Sequence, residues 1–94
     1  MMEANDPAPD TIAVRLGDRL RILRLARKLS QARLGALIGV TAQQVHRYER
    51  GSSAITATNL WRIAQVLDAP MSFFFDDLVG DRPPLPQLKR TPNP

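Results

Sequence analysis

Apolar residues recur along this chain at helical spacing. Leu16, Leu20 and Leu23 lie four and three positions apart, and Arg27 continues the same stripe. The pattern predicts a helix to about Lys28, capped by Asp10 or Thr11. Ile22 and Leu25 project to nearly the opposite side, as a surface covered by a later helix or the C-terminal tail, or as a protein contact. A second stripe of Leu60, Ile63, Ala64 and Leu67 predicts a helix opened by Thr56 and broken by Asp68-Ala69-Pro70, with Trp61 beside the stripe. Met71 to Leu78 predicts a last helix. Its Phe73, Phe74 and Phe75 cannot all point one way, because neighbours on a helix are about 100° apart. One or two should close the core, which leaves Phe74, Phe75 and the nearby Trp61 as candidate dimer contacts.

Between these stripes, Ser30 to Gly51 reads as two short helices joined by a tight turn. Ser30 is an N-cap residue, Gly39 suits the left-handed conformation that ends a helix, and Thr41 is a second N-cap two residues later. The predicted helices run from Gln31 to Ile38 and from Ala42 to Arg50, with Gly51 ending the second. This is the spacing of a helix-turn-helix. Gly35, inside the first of them, costs about 1 kcal/mol relative to alanine unless a neighbouring backbone comes close.

The second short helix divides by polarity. Val45 and Tyr48 face inward together, whereas Ala42, Gln43, His46, Arg47 and Arg50 fall on the other face, with Gln44 at its edge. That outer face carries no acid. Its amides can bond adenine N6 and N7, and its guanidinium can bond guanine O6 and N7. On these residues alone an ordinary solvated face is an equally good reading.

Charge placement shifts that balance. The chain is +4 overall, but Arg15 to Arg62 holds ten basic residues and two acids, Asp18 and Glu49, a local charge of +8. The first ten residues hold three acids and no basic side chain. A basic middle is the footprint of a polyanion binder. There is no cysteine, hence no disulfide or thiolate metal site. One histidine, without acids placed around it, leaves no nucleophile–base or metal constellation, and adjacent Asp76 and Asp77 point apart on a helix. No enzyme activity, cofactor or metal is expected. No apolar run approaches the roughly 20 residues of a membrane span, and the N-terminus lacks the basic and apolar regions of a secretory signal. The expected location is the cytoplasm, in association with the nucleoid.

Ser30-Gln31, Leu34, Gly39-Val40-Thr41, Val45, Tyr48-Glu49 and Gly51 together resemble the helix-turn-helix of the XRE family, which includes the Cro and C1-type repressor DNA-binding domains. The resemblance extends back to Leu20, Leu23 and Arg24 and forward to Leu60, Ile63-Ala64, Leu67 and Phe73-Phe74. It implies an all-α, five-helix, lambda-repressor-like domain over residues 11–79. A flexible arm, 1–10, is expected before it. A disordered tail, 80–94, is expected after it, with five prolines from Asp81 onward.

The resemblance implies that Thr41, Ala42, Gln43, Gln44 and Arg47 approach base edges and adjacent backbone. Gln31, at the start of its helix, can bind a phosphate, as can Arg50, Ser52 and Ser53 beyond the recognition helix, and His46. Glu49 would repel DNA if it faced outward; the resemblance pairs it instead with Arg24 as a structural ion pair. The expected function is sequence-specific binding of double-stranded DNA by a homodimer on an inverted repeat, as a transcriptional repressor. Two alternatives remain open: an antitoxin that autoregulates through the same domain and holds a toxin or other protein partner, and a protein-interaction adaptor.

Overall fold

The computed structural model describes residues 11–81 and is all helical over them. In order come α1 (Thr11–Ala26), α2 (Gln31–Ile38), α3 (Ala42–Arg50), α4 (Ala57–Leu67) and a C-terminal 3-10 helix (Met71–Asp81). The expected cap at Asp10, the arm over 1–10 and the tail from residue 82 lie outside the described residues. Three helices open on the side chains that the sequence marks. Ser30 Oγ accepts the Arg33 N–H at 2.9 Å, Thr41 Oγ1 accepts the Gln44 N–H at 3.0 Å, and Thr56 Oγ1 accepts the Asn59 N–H at 3.1 Å. Each such cap contributes about 1 kcal/mol by satisfying an otherwise orphaned donor. Gly39 and Gly51 close α2 and α3 in the left-handed conformation, at φ 84° and 75°.

The core is built from the predicted stripes. Leu16, Leu20 and Leu23 of α1 meet Leu34 and Ile38 of α2, Val45 and Tyr48 of α3, and Leu60, Ile63, Ala64 and Leu67 of α4. The last element differs from expectation. It is a 3-10 helix rather than an α-helix, it continues through Gly80 and Asp81, and Phe73 N–H donates to the Pro70 carbonyl at 3.0 Å as its first i→i+3 bond. A three-residue repeat stacks Met71 and Phe74 on one face. Phe74 is wholly buried, with Phe73 edge-on to it at 5.6 Å. Its place as a dimer contact is therefore corrected: the ring closes the core, where such burial stabilises by roughly 2 kcal/mol or more. Arg19 of α1 lies over the Phe73 ring at 4.8 Å and ties this element to α1. Ile22 and Leu25 are not covered by it; they remain 56% and 49% exposed.

One polar node orients α1, α2 and α3. Arg24 is buried on α1; its Nε and Nη2 donate to the two carboxylate oxygens of Glu49 at 2.5 and 3.0 Å. Nη1 donates to the Leu29 carbonyl at 2.8 Å, in the turn between α1 and α2. Gln31 of α2 adds a third donor to Glu49, at 3.0 Å. The hydrogen bond to Glu49 raises the Arg24 guanidinium above its ordinary pKa, against the opposing effect of burial. Arg27, which extends the apolar stripe of α1, sends its guanidinium to the end of α4 instead, bonding the Leu67 and Asp68 carbonyls at 2.7 and 3.1 Å.

Glycine sets how closely α1 crosses α3. A Cβ on Gly17 would lie 2.3 Å from the Tyr48 carbonyl oxygen and 2.8 Å from that of Glu49, both backbone atoms. Gly35 is similar: a Cβ there would come 2.5 Å from the Val40 carbonyl oxygen, so the turn into α3 sits on α2 at glycine distance.

Arg24→Ala should destabilise the domain by about 3 kcal/mol, because it leaves Glu49 buried without its cation. A fall in melting midpoint of roughly 10 °C or more is expected for a domain this size, and an unchanged midpoint would remove the node's structural role. Gly17→Ala tests the crossing. In an open helix the change stabilises by about 1 kcal/mol; here overlap with backbone should reverse the sign and cost about 1–3 kcal/mol. A raised midpoint would show that α1 does not pack on α3 this tightly.

Candidate nucleic-acid interface

Helix α3, nine residues capped by Thr41 and Gly51, carries the candidate surface on its outer face. Val45 and Tyr48 anchor α3 to the core, and the Tyr48 hydroxyl accepts a hydrogen bond from the Asn59 amide of α4 at 3.1 Å. With that side fixed, helical periodicity turns Gln43, His46, Arg47 and Arg50 to solvent, with Ala42 and Gln44 half-buried along the edge. Thr41 is exposed at the N-terminal end, where its oxygen serves the cap. The face therefore presents amides and guanidiniums. The one acid of α3, Glu49, is turned inward and neutralised by Arg24. Among the described residues no acid pairs with Arg47 or Arg50.

The residues expected to hold phosphate divide into two groups. Arg50 is exposed and Ser53 half-buried just past α3. Ser52 is turned back: its hydroxyl donates to the Arg47 carbonyl at 3.3 Å, and its backbone N–H donates to the same oxygen at 3.0 Å. Gln31 is likewise engaged. Its amide donates to Glu49 and lies 3.4 Å from His46 Nδ1, so α2 braces α3 through that side chain. The backbone N–H of Gln31 stays at the open start of α2, where the helix dipole favours an anion. Trp61 and Phe75, the remaining dimer candidates, are 56% and 37% exposed on α4 and the 3-10 helix, which pack on each other.

Sequence reasoning missed the Gln31 brace, the third Arg24 bond to Leu29 and the Gly17 crossing. Only Gly17 left a local signal, as a glycine inside a strongly periodic helix. The others depend on which chain segments become neighbours. No group of three or more possible metal ligands occurs among the described residues, and none of their helices is long and apolar enough to cross a membrane.

Comparison with known proteins agrees with this geometry. A helix-turn-helix family model matches residues 20–74. An uncharacterized HTH-type transcriptional regulator of Sinorhizobium medicae is 40% identical over 80 residues, which is 85% of this chain and 58% of that protein. The chain thus spans less than two thirds of that relative's length. Among solved structures, the restriction-modification controller protein C.AhdI of Aeromonas hydrophila is similar at a TM-score of 0.64 and 36% identity, over 67% of this chain and 96% of that one. The P22 c2 repressor, solved in complex with a synthetic operator, is similar at a TM-score of 0.60 and 27% identity, over 63% of this chain and 89% of its own. These three are named as a transcriptional regulator, a controller protein and a repressor. With the model spanning more than half of the chain and the two caps, the turn and the inward acid in place, the chain belongs to the helix-turn-helix family of XRE, Cro/C1 type.

Proposed function

We propose that this protein is a transcriptional regulator that reads double-stranded DNA by inserting α3 into the major groove. The observation that carries the reading is the outer face of α3, which exposes amides and guanidiniums while its only acid is buried against Arg24. A helix fits the major groove of B-DNA, and in a helix-turn-helix the second helix enters it. Gln43 and Arg47 take the base edges. Thr41 and Gln44 lie at the margin, and the methyl of Ala42 meets a thymine methyl. Arg50, Ser53, His46 and the start of α2 at Gln31 hold phosphates. These contacts set register and salt dependence rather than sequence.

The regulator acts as a repressor and as a homodimer on an inverted repeat, with Trp61 and Phe75 as the remaining surface candidates for the contact between copies. The similarity to a repressor crystallised on its operator supports this, as do the exposed aromatic rings.

Selection from a randomised duplex library, followed by anisotropy titration of the winner, tests the reading. A two-fold-symmetric site should emerge. Arg47→Ala or Gln43→Ala should weaken it by about 1–3 kcal/mol and relax the preference at one base pair. Arg50→Ala should weaken all sequences alike and make the salt dependence shallower by about one counterion. Binding without an enriched motif would reduce α3 to an electrostatic surface, and sedimentation of a monomer both free and on the site would remove the dimer.

A further inference from the structure

We propose that Lys28 and Arg33 hold the DNA backbone beside the α1–α2 turn, as contacts additional to the groove-facing residues of α3. The proposal rests on the reading of α3 as the helix that enters the groove, and it widens the footprint by two cations.

Each of the two stands where local rules favour a different residue. Lys28, in the turn that ends α1, has φ 59°. That is the left-handed region, where a Cβ is strained and glycine is the usual occupant after a helix. Its backbone N–H donates to the Leu25 carbonyl at 3.0 Å, so the conformation is the helix stop itself. Arg33 is the third residue of α2, and its own N–H is capped by Ser30 Oγ at 2.9 Å. A glutamate there would reach back to the Ser30 N–H, complete a capping box and suit the positive end of the helix dipole. The first turn of α2 holds no acid. Both positions therefore carry a cation at a cost to stability, and departures of this kind concentrate at functional positions.

The scaffold uses neither side chain. Around Lys28 the turn is held by others: Arg24 bonds the Leu29 carbonyl, Arg27 bonds the end of α4, and Leu29 packs against the core. Lys28 and Arg33 are exposed, and no acid pairs with either among the described residues. They also share a place. Side chains on a helix lean toward its N-terminus, so Arg33 leans back over Ser30, two residues from Lys28. Gln31, between them in sequence, lies with its amide nitrogen 3.4 Å from His46 Nδ1, so the pair adjoins the outer face of α3. A sugar-phosphate chain that passes His46 meets both cations.

The test titrates duplexes with full-chain variants across salt. Arg21→Gln removes an exposed cation of α1 outside the pair and controls for net charge. Lys28→Gln and Arg33→Gln should each weaken a selected site and a random duplex alike, by roughly three- to tenfold at about 0.1 M salt, and make the salt dependence shallower by about one counterion. The control should leave that slope unchanged. Two further variants separate the contact from a structural role. Lys28→Gly relieves the left-handed backbone and Arg33→Glu completes the capping box. Both should raise the melting midpoint by roughly 2–5 °C while weakening duplex binding at least as much as the glutamine variants. Lowered midpoints in both would assign the cations to holding the turn and overturn the proposal. Slopes like that of wild type overturn it too, and leave DNA reading by α3 intact. A loss confined to the selected site would make the contact one to a base and overturn the backbone assignment. A wild-type chain that binds no duplex removes the reading of α3, and this contact with it.

Discussion

The buried bond between Arg24 and Glu49 is the constraint on which the rest depends. A carboxylate at the end of α3 has two unfavourable alternatives. It can face outward and repel a polyanion, or it can go inward and lose its hydration, which costs several kcal/mol unless it is matched. Here it goes inward and is matched by two guanidinium donors from α1 and one amide from α2, while the remaining Arg24 donor holds the Leu29 carbonyl. One interaction therefore sets the orientation of three helices and the sign of the surface they present. Pairs of this kind add little net stability over apolar packing; their effect is to fix one arrangement.

Close backbone approach does the rest. Gly17 and Gly35 let α1 and α2 touch the backbone at the two ends of α3, and the Asn59–Tyr48 bond fixes its inner side to α4. The recognition helix is thus held at its start, its middle and its end. Such rigidity favours a reader of DNA, because side chains that keep their direction before binding lose less entropy when they bind. It also limits which groups are available. Ser52 and Gln31 complete the scaffold, which leaves Arg50 and backbone donors as the more available of the proposed phosphate contacts.

By itself the sequence determined everything set by local rules: the 3.6-residue stripes, the caps at Ser30, Thr41 and Thr56, the left-handed stops at Gly39 and Gly51, and so the boundaries of α2, α3 and α4. It also determined which side of α3 carries amides and cations, since periodicity alone separates Val45 and Tyr48 from Gln43 and Arg47. The Arg24–Glu49 pairing came from family resemblance, because no local rule joins residues 25 apart. Tertiary structure alone decided the partners of adaptable polar side chains: Gln31 on Glu49, Ser52 on Arg47, Arg27 on the end of α4. It also decided which of three consecutive phenylalanines is buried. A 3-10 repeat and the space left between α1 and α4 chose Phe74, and neighbouring identical residues carry no local signal to make that choice.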